Sequence, residues 1–161
     1  MLTKKQLVNK KFNISKFISE QEEDEMDDNL ETKETNGDTN VGDFVDMISA
    51  LMNSQTQIHV FHLQTESYAE HKALQKYYEN IDGIVDGLVE SFQGQYQILK
   101  NYRSGDIYDW KSTEETVKYL KNLCTLVEEK RNCCKDSYIQ NQIDNVCELI
   151  NSTTYKLRFL K

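Results

Sequence analysis

The chain has 161 residues and a formal charge of −8, from 27 acidic and 19 basic residues, with three histidines, four cysteines and no proline. That length suits one domain able to bury its own core without disulfide or metal staples. No apolar run reaches the roughly 18–20 residues of a membrane span, and MLTKKQLVNKKFN lacks the apolar segment of a signal peptide, so the expectation is a soluble, intracellular protein with no membrane role.

The charge is unevenly placed. Residues 1–16 carry five lysines and no acids, residues 17–43 carry eleven acids against Lys33, and the remainder is nearly balanced. Residues 1–42 read as a charged N-terminal arm, because SEQEEDEMDDNLETKETNGDTNVGD has too few apolar groups to offset the entropy of ordering. Disorder is expected there unless the arm docks. LVNKKFNISKFI, just before it, offers Leu7, Phe12, Ile14 and Phe17 as an anchor onto the body or a partner.

From residue 43 the period becomes helical, and residues 43–161 read as a four-helix bundle. Phe44, Ile48, Leu51, Gln55, Ile58 and His62 recur every three or four positions, predicting a first helix over 43–64. Leu74, Tyr78, Ile81, Val85, Leu88 and Phe92 predict a second over 67–93, and the short junction makes the two antiparallel neighbours. A long connection, 95–111, leads to Ser112-Thr-Glu-Glu115, a capping box that opens a third helix with Val117, Leu120, Leu123, Cys124 and Val127 inward. A fourth begins near Asp136 and uses Ile139, Ile143, Val146, Ile150 and Leu157. Four helices with one longer middle connection predict an all-α, ferritin-like bundle. Cys124, Cys133, Cys134 and Cys147 match no zinc spacing and read as reduced thiols, the adjacent pair pointing apart on a helix.

All three histidines lie in HVFHLQTESYAEH, residues 59–71. His62 falls near the end of the first helix and His71 near the start of the second, so the turn brings them together, while Asp86 and Glu90 form an i, i+4 carboxylate pair further along. Two imidazoles and two carboxylates suit iron or zinc. Fifteen residues of helix put Asp86 roughly 22 Å from His71, too far for one metal ion. A site using both pairs therefore requires two chains packed antiparallel about a two-fold axis, and hence at least a dimer. Gly83 and Gly87 on the acidic stretch suggest close approach by another helix. Tyr77/Tyr78 and Tyr102/Tyr108/Trp110 are candidate contact surfaces, with ordinary core filling the equal alternative.

His62…His71 followed by Asp86 and Glu90 resembles the starvation-induced DNA-protection (Dps) branch of the ferritin-like proteins. FHLQTESYAEHKAL…YYENIDGIVDGLVESFQG is similar to small Dps-like proteins of tailed bacteriophages, and the resemblance covers about residues 44–94. It implies an inter-subunit metal centre formed by histidines of one subunit and acids of the other, holding iron with zinc as the alternative, with Fe(II) oxidation as the associated chemistry. The two histidines here are nine apart where the family usually has twelve, and Leu63 stands at its usual tryptophan. Either the junction is three residues shorter, or His59 takes the first histidine's place. The phage resemblance equally implies a non-enzymatic virion component of the head or neck/connector ring, its arm docking onto other phage virion proteins, either in the host cytoplasm or in the virion. Direct DNA binding is disfavoured, because eleven acids follow the only cationic segment.

Overall fold

The computed structural model describes residues 39–160, which contain four α-helices, one short 3-10 helix and no strand. The arm, including LVNKKFNISKFI, lies almost wholly outside the described residues. Helix α1 spans Val41–Gln64, so it starts two residues earlier than its apolar stripe suggests. The cause is Asn40, whose side chain accepts from the Asp43 N–H at 3.1 Å and satisfies one of the free amides of the first turn. Helix α2 spans Tyr68–Gln95, capped by Ser67, and α3 spans Thr113–Lys130, capped by Ser112. The 3-10 turn Arg131–Cys133 leads into α4, Ser137–Phe159.

Helix α1 packs on α2 and α3, and α4 packs on the same two, so α1 and α4 lie across a diagonal of the bundle. At one end Phe44 of α1 stacks on Phe92 of α2, with ring centroids 3.9 Å apart. The end of α3 comes to the same place, since Lys130 pairs with Asp43 and the Cys133 carbonyl accepts from the Asn40 N–H at 2.7 Å. At the other end lie the α1–α2 turn and the start of α3, where Trp110 and Thr113 both bond Glu70. Helices α2 and α3 therefore run in one direction, α1 and α4 in the other, and the connection between α2 and α3 returns along the length of α1.

That crossover has no regular structure, so its amides need partners from elsewhere. A polar stripe of α1 supplies them. The Arg103 N–H donates to Ser49 Oγ at 3.0 Å, and Arg103 pairs with Asp46 at 3.0 Å. Fully buried Gln57 holds the Tyr108 backbone at both groups, donating to its carbonyl at 2.8 Å and accepting from its N–H at 3.1 Å. Gln64 accepts from the Trp110 N–H at 2.6 Å and donates to Asp109 at 2.8 Å. Gly105 lies against Asn53, close enough that a Cβ would meet Asn53 Nδ2 at 2.7 Å. Positions 46, 49, 53, 57 and 64 share one helix face, so the polar period of α1 encodes the track of the crossover.

The expected apolar stripes form the core, including Phe44, Ile48, Leu51, Leu74, Ile81, Leu120, Leu123, Ile143 and Ile150. Several positions differ. Gln55, Tyr78 and Val117 are half-buried at the margin of the core. Tyr77 is fully buried and donates its hydroxyl to Ser54 Oγ at 2.8 Å, while Ser54 donates to the Leu51 carbonyl at 2.6 Å, so Tyr77 belongs to the interior and not to a contact surface. Tyr108 and Trp110 pack against the core, leaving Tyr102 the exposed member of its group. Cys133 is the last residue of the 3-10 helix and Cys134 follows it in extended conformation, so the pair does not share an α-helix, and both are buried. No described helix is long and apolar enough to cross a membrane.

Candidate metal centre

The turn Thr65-Glu66-Ser67 is short because both flanking helices are capped within it. The Thr65 N–H closes the last turn of α1 on the Phe61 carbonyl at 3.0 Å, and Ser67 Oγ accepts from the Glu70 N–H at 3.3 Å. His62 in the last turn of α1 is thereby placed over His71 in the first turn of α2. Their rings stack with centroids 3.7 Å apart and planes 25° from parallel. Each ring bonds the other residue's backbone: His62 Nδ1 lies 2.9 Å from the His71 carbonyl, and His71 Nδ1 lies 3.0 Å from the His62 carbonyl. A carbonyl oxygen only accepts, so Nδ1 is the donor in both bonds, and the nitrogen left to hold a metal on each ring is Nε2. His59, one turn earlier and exposed, stacks on Tyr78 at 4.3 Å, and its ring lies 5.9 Å from that of His62. Tyr78 thus packs against His59 and His62, and His62 in turn carries His71 on its other contact.

Glu70 holds the same turn from the inside. Only 4 % exposed, its carboxylate accepts from Thr65 Oγ1 at 2.8 Å, Trp110 Nε1 at 3.2 Å and Thr113 Oγ1 at 3.0 Å. It thereby joins the α1–α2 turn, the end of the crossover and the first residue of α3. Ser67-Tyr-Ala-Glu70 has capping-box spacing, a signal available in the sequence, but the Glu70 side chain is drawn away to the donors around it.

Asp86 and Glu90 lie on the outer face of α2 and are both exposed, as is Asp82. The chain does not bring them to its own histidines. A Cβ built on Gly83 or Gly87 meets nothing within 4 Å, so among the described residues no helix approaches this face.

Among the described residues, three metal-ligating side chains bring their donor atoms within 4.8 Å of one another at one place, Cys124, Glu128 and Cys147. Cys124 and Glu128 are one turn apart on α3, with Sγ 3.7 Å from Oε1, and Cys147 faces them from α4. Burial, then the neighbouring Cys124, pushes the Cys147 thiol up to about 12, and burial also raises that of Cys124. Sequence spacing missed this group because two of its members lie 23 residues apart on different helices. The i, i+4 pair Cys124/Glu128 was the only local signal for it.

The chain belongs to the family of unknown function DUF5856, which matches residues 62–157, well over half of its length. No curated protein and no solved structure matches it.

Proposed function

We propose that the chain is a ferritin-like, metal-binding subunit whose site is shared between two copies. His62 and His71, with His59 beside them, come from one copy and Asp86 and Glu90 from the other, and iron is the metal, with zinc the alternative. The observation that carries this reading is the reciprocal pair of Nδ1–H to carbonyl bonds. Such bonds to a ligating imidazole fix its tautomer and orientation and leave Nε2 as the donor. The helix order supports the ferritin-like reading, since a down-running α2 and α3 joined by a crossover along α1 is a bundle with one long connection. Open Gly83 and Gly87 beside Asp86 and Glu90 leave room for a second backbone on the acidic face.

In such a site the imidazoles of His62 and His71 and the carboxylates of Asp86 and Glu90 would hold the iron, and Fe(II) held there would supply one electron per ion to dioxygen or a peroxide, becoming Fe(III). The chain's own part is to hold His62 and His71 in place. Metal bound only by the assembled pair strengthens association, by about 2.7 kcal/mol at a hundredfold excess over Kd.

Mixing of two variants tests the shared site. His71→Ala and Asp86→Ala each lose Fe(II) binding alone, while their mixture recovers about one intact site per heterodimer, because the damage falls together on the other site. A mixture that stays inactive while the wild-type monomer binds Fe(II) refutes it.

A second reading has its own support, because the stacked and mutually bonded His62/His71 pair already clamps α1 to α2 without a metal. In that reading the bundle is a non-enzymatic building block, such as a phage virion component docked through its N-terminal arm. Wild-type protein that binds neither iron nor zinc at the histidines selects it.

A further inference from the structure

The seam between α3 and α4 carries two facing i, i+4 pairs, Cys124 and Glu128 on one helix and Cys147 and Asn151 on the other. The donor atoms of Cys124, Glu128 and Cys147 lie within 4.8 Å of one another, and Asn151 follows Cys147 by one turn of its helix. In a tetrahedral zinc centre, Zn–S of about 2.3 Å and Zn–O of about 2.0 Å place adjacent sulfur and oxygen ligands roughly 3.5 Å apart. Cys124 Sγ and Glu128 Oε1 are 3.7 Å apart, so this edge is close to ligand spacing. Burial is graded across the group: Cys124 is 8 % exposed, Cys147 half-buried and Glu128 exposed. One side is therefore anchored in the core and the other open to an entering ion.

We infer that Cys124, Cys147 and Glu128 form a zinc(II) site that staples α3 to α4, with Asn151 or a water as the fourth ligand. Two thiolates select a borderline-soft ion over magnesium or calcium. The nearby guanidinium, Arg131, is engaged by both oxygens of Asp144 at 2.6 and 2.8 Å, so its charge is committed to that pair. On binding, each thiol releases its proton to solvent and each sulfur lone pair enters a Zn–S bond, with no change of oxidation state. The site uses none of the histidines and neither Asp86 nor Glu90, so it stands or falls separately from the shared site.

Cobalt(II) is the probe, because thiolate ligation gives it a charge-transfer absorption that imidazole and carboxylate do not. Anaerobic titration of the reduced, full-length protein should develop this absorption to one equivalent per chain, and zinc(II) should then abolish it by displacement. Cys147→Ser should remove it, and Glu128→Gln, an isosteric change at an exposed position, should weaken cobalt binding by about tenfold or more. His71→Ala should leave it intact. Absence of thiolate absorption in the wild type, its full retention in Cys147→Ser, or unchanged affinity in Glu128→Gln would each overturn the site.

Discussion

Replacing Glu70 by alanine tests how the α1–α2 turn is tied to the rest of the bundle. The substitution removes one buried carboxylate and leaves Thr65 Oγ1–H, Trp110 Nε1–H and Thr113 Oγ1–H without their acceptor. A hydrogen bond to a charged group contributes about 1.5–3 kcal/mol net, and a buried donor left unsatisfied costs about 1–3 kcal/mol. Thr65, Trp110 and Thr113 are half-buried, so water recovers part of the loss, and relieving the buried charge offsets another part. Together these give a loss of roughly 3–4 kcal/mol for Glu70→Ala. Glu70→Gln keeps one acceptor oxygen and should lose about half as much. Trp110 is the only tryptophan, so its fluorescence reports both global unfolding in urea and its own surroundings. Glu70→Ala should lower the urea midpoint without changing the slope, and should shift native Trp110 emission to the red as the crossover end loosens. A loss below about 1 kcal/mol, or equal losses for alanine and glutamine, would refute the account of Glu70 as the acceptor joining the three segments.

Gly105→Ala should cost less than about 1 kcal/mol, because its Cβ meets only the end of the Asn53 side chain, which has to swing aside. In an Asn53→Ala background the same change should be neutral or slightly stabilising, since alanine restricts the unfolded chain, and a double-mutant cycle that finds no coupling contradicts the close contact. Metal-free, chelated protein should lose stability as pH rises from about 9 towards 12. The Cys147 thiol is pushed up to about 12 when folded but keeps its ordinary value near 9 when unfolded. The unfolded state therefore sheds its proton first, so this group's contribution is complete below pH 9 and fades above it. Cys147→Ser should flatten that decline in thermal unfolding measured across the range, and an identical decline in the variant would assign it to other groups.

The four helices were legible in the sequence because each stripe of Leu, Ile, Val and Phe repeats with the helical period, and Ser112 marks a start that any N-cap rule finds. The cores at Ile81, Leu120 and Ile143 follow directly from that period. Gln55 lies at the margin of the core, where its amide stays partly in solvent, and Tyr77 was misplaced for a different reason. Period ranks residues by apolarity, whereas a buried tyrosine needs only one hydroxyl partner, here Ser54, to enter the core.

Local pattern also placed His62 and His71 beside each other, since three residues between two helices allow little else. It could not reveal that each imidazole bonds the other's carbonyl, nor that Asp46, Ser49, Asn53, Gln57 and Gln64 are the track for residues 103–110. Those are long-range pairings, up to 54 residues apart, and a polar stripe on a helix looks the same whether water or a crossover satisfies it. Helix identity, by contrast, depends on neighbours three and four positions away, which the sequence contains in full. Cys147 is brought to the i, i+4 pair Cys124 and Glu128 only by the packing of α3 on α4, so the tertiary structure alone decided that a second thiol lies beside that carboxylate.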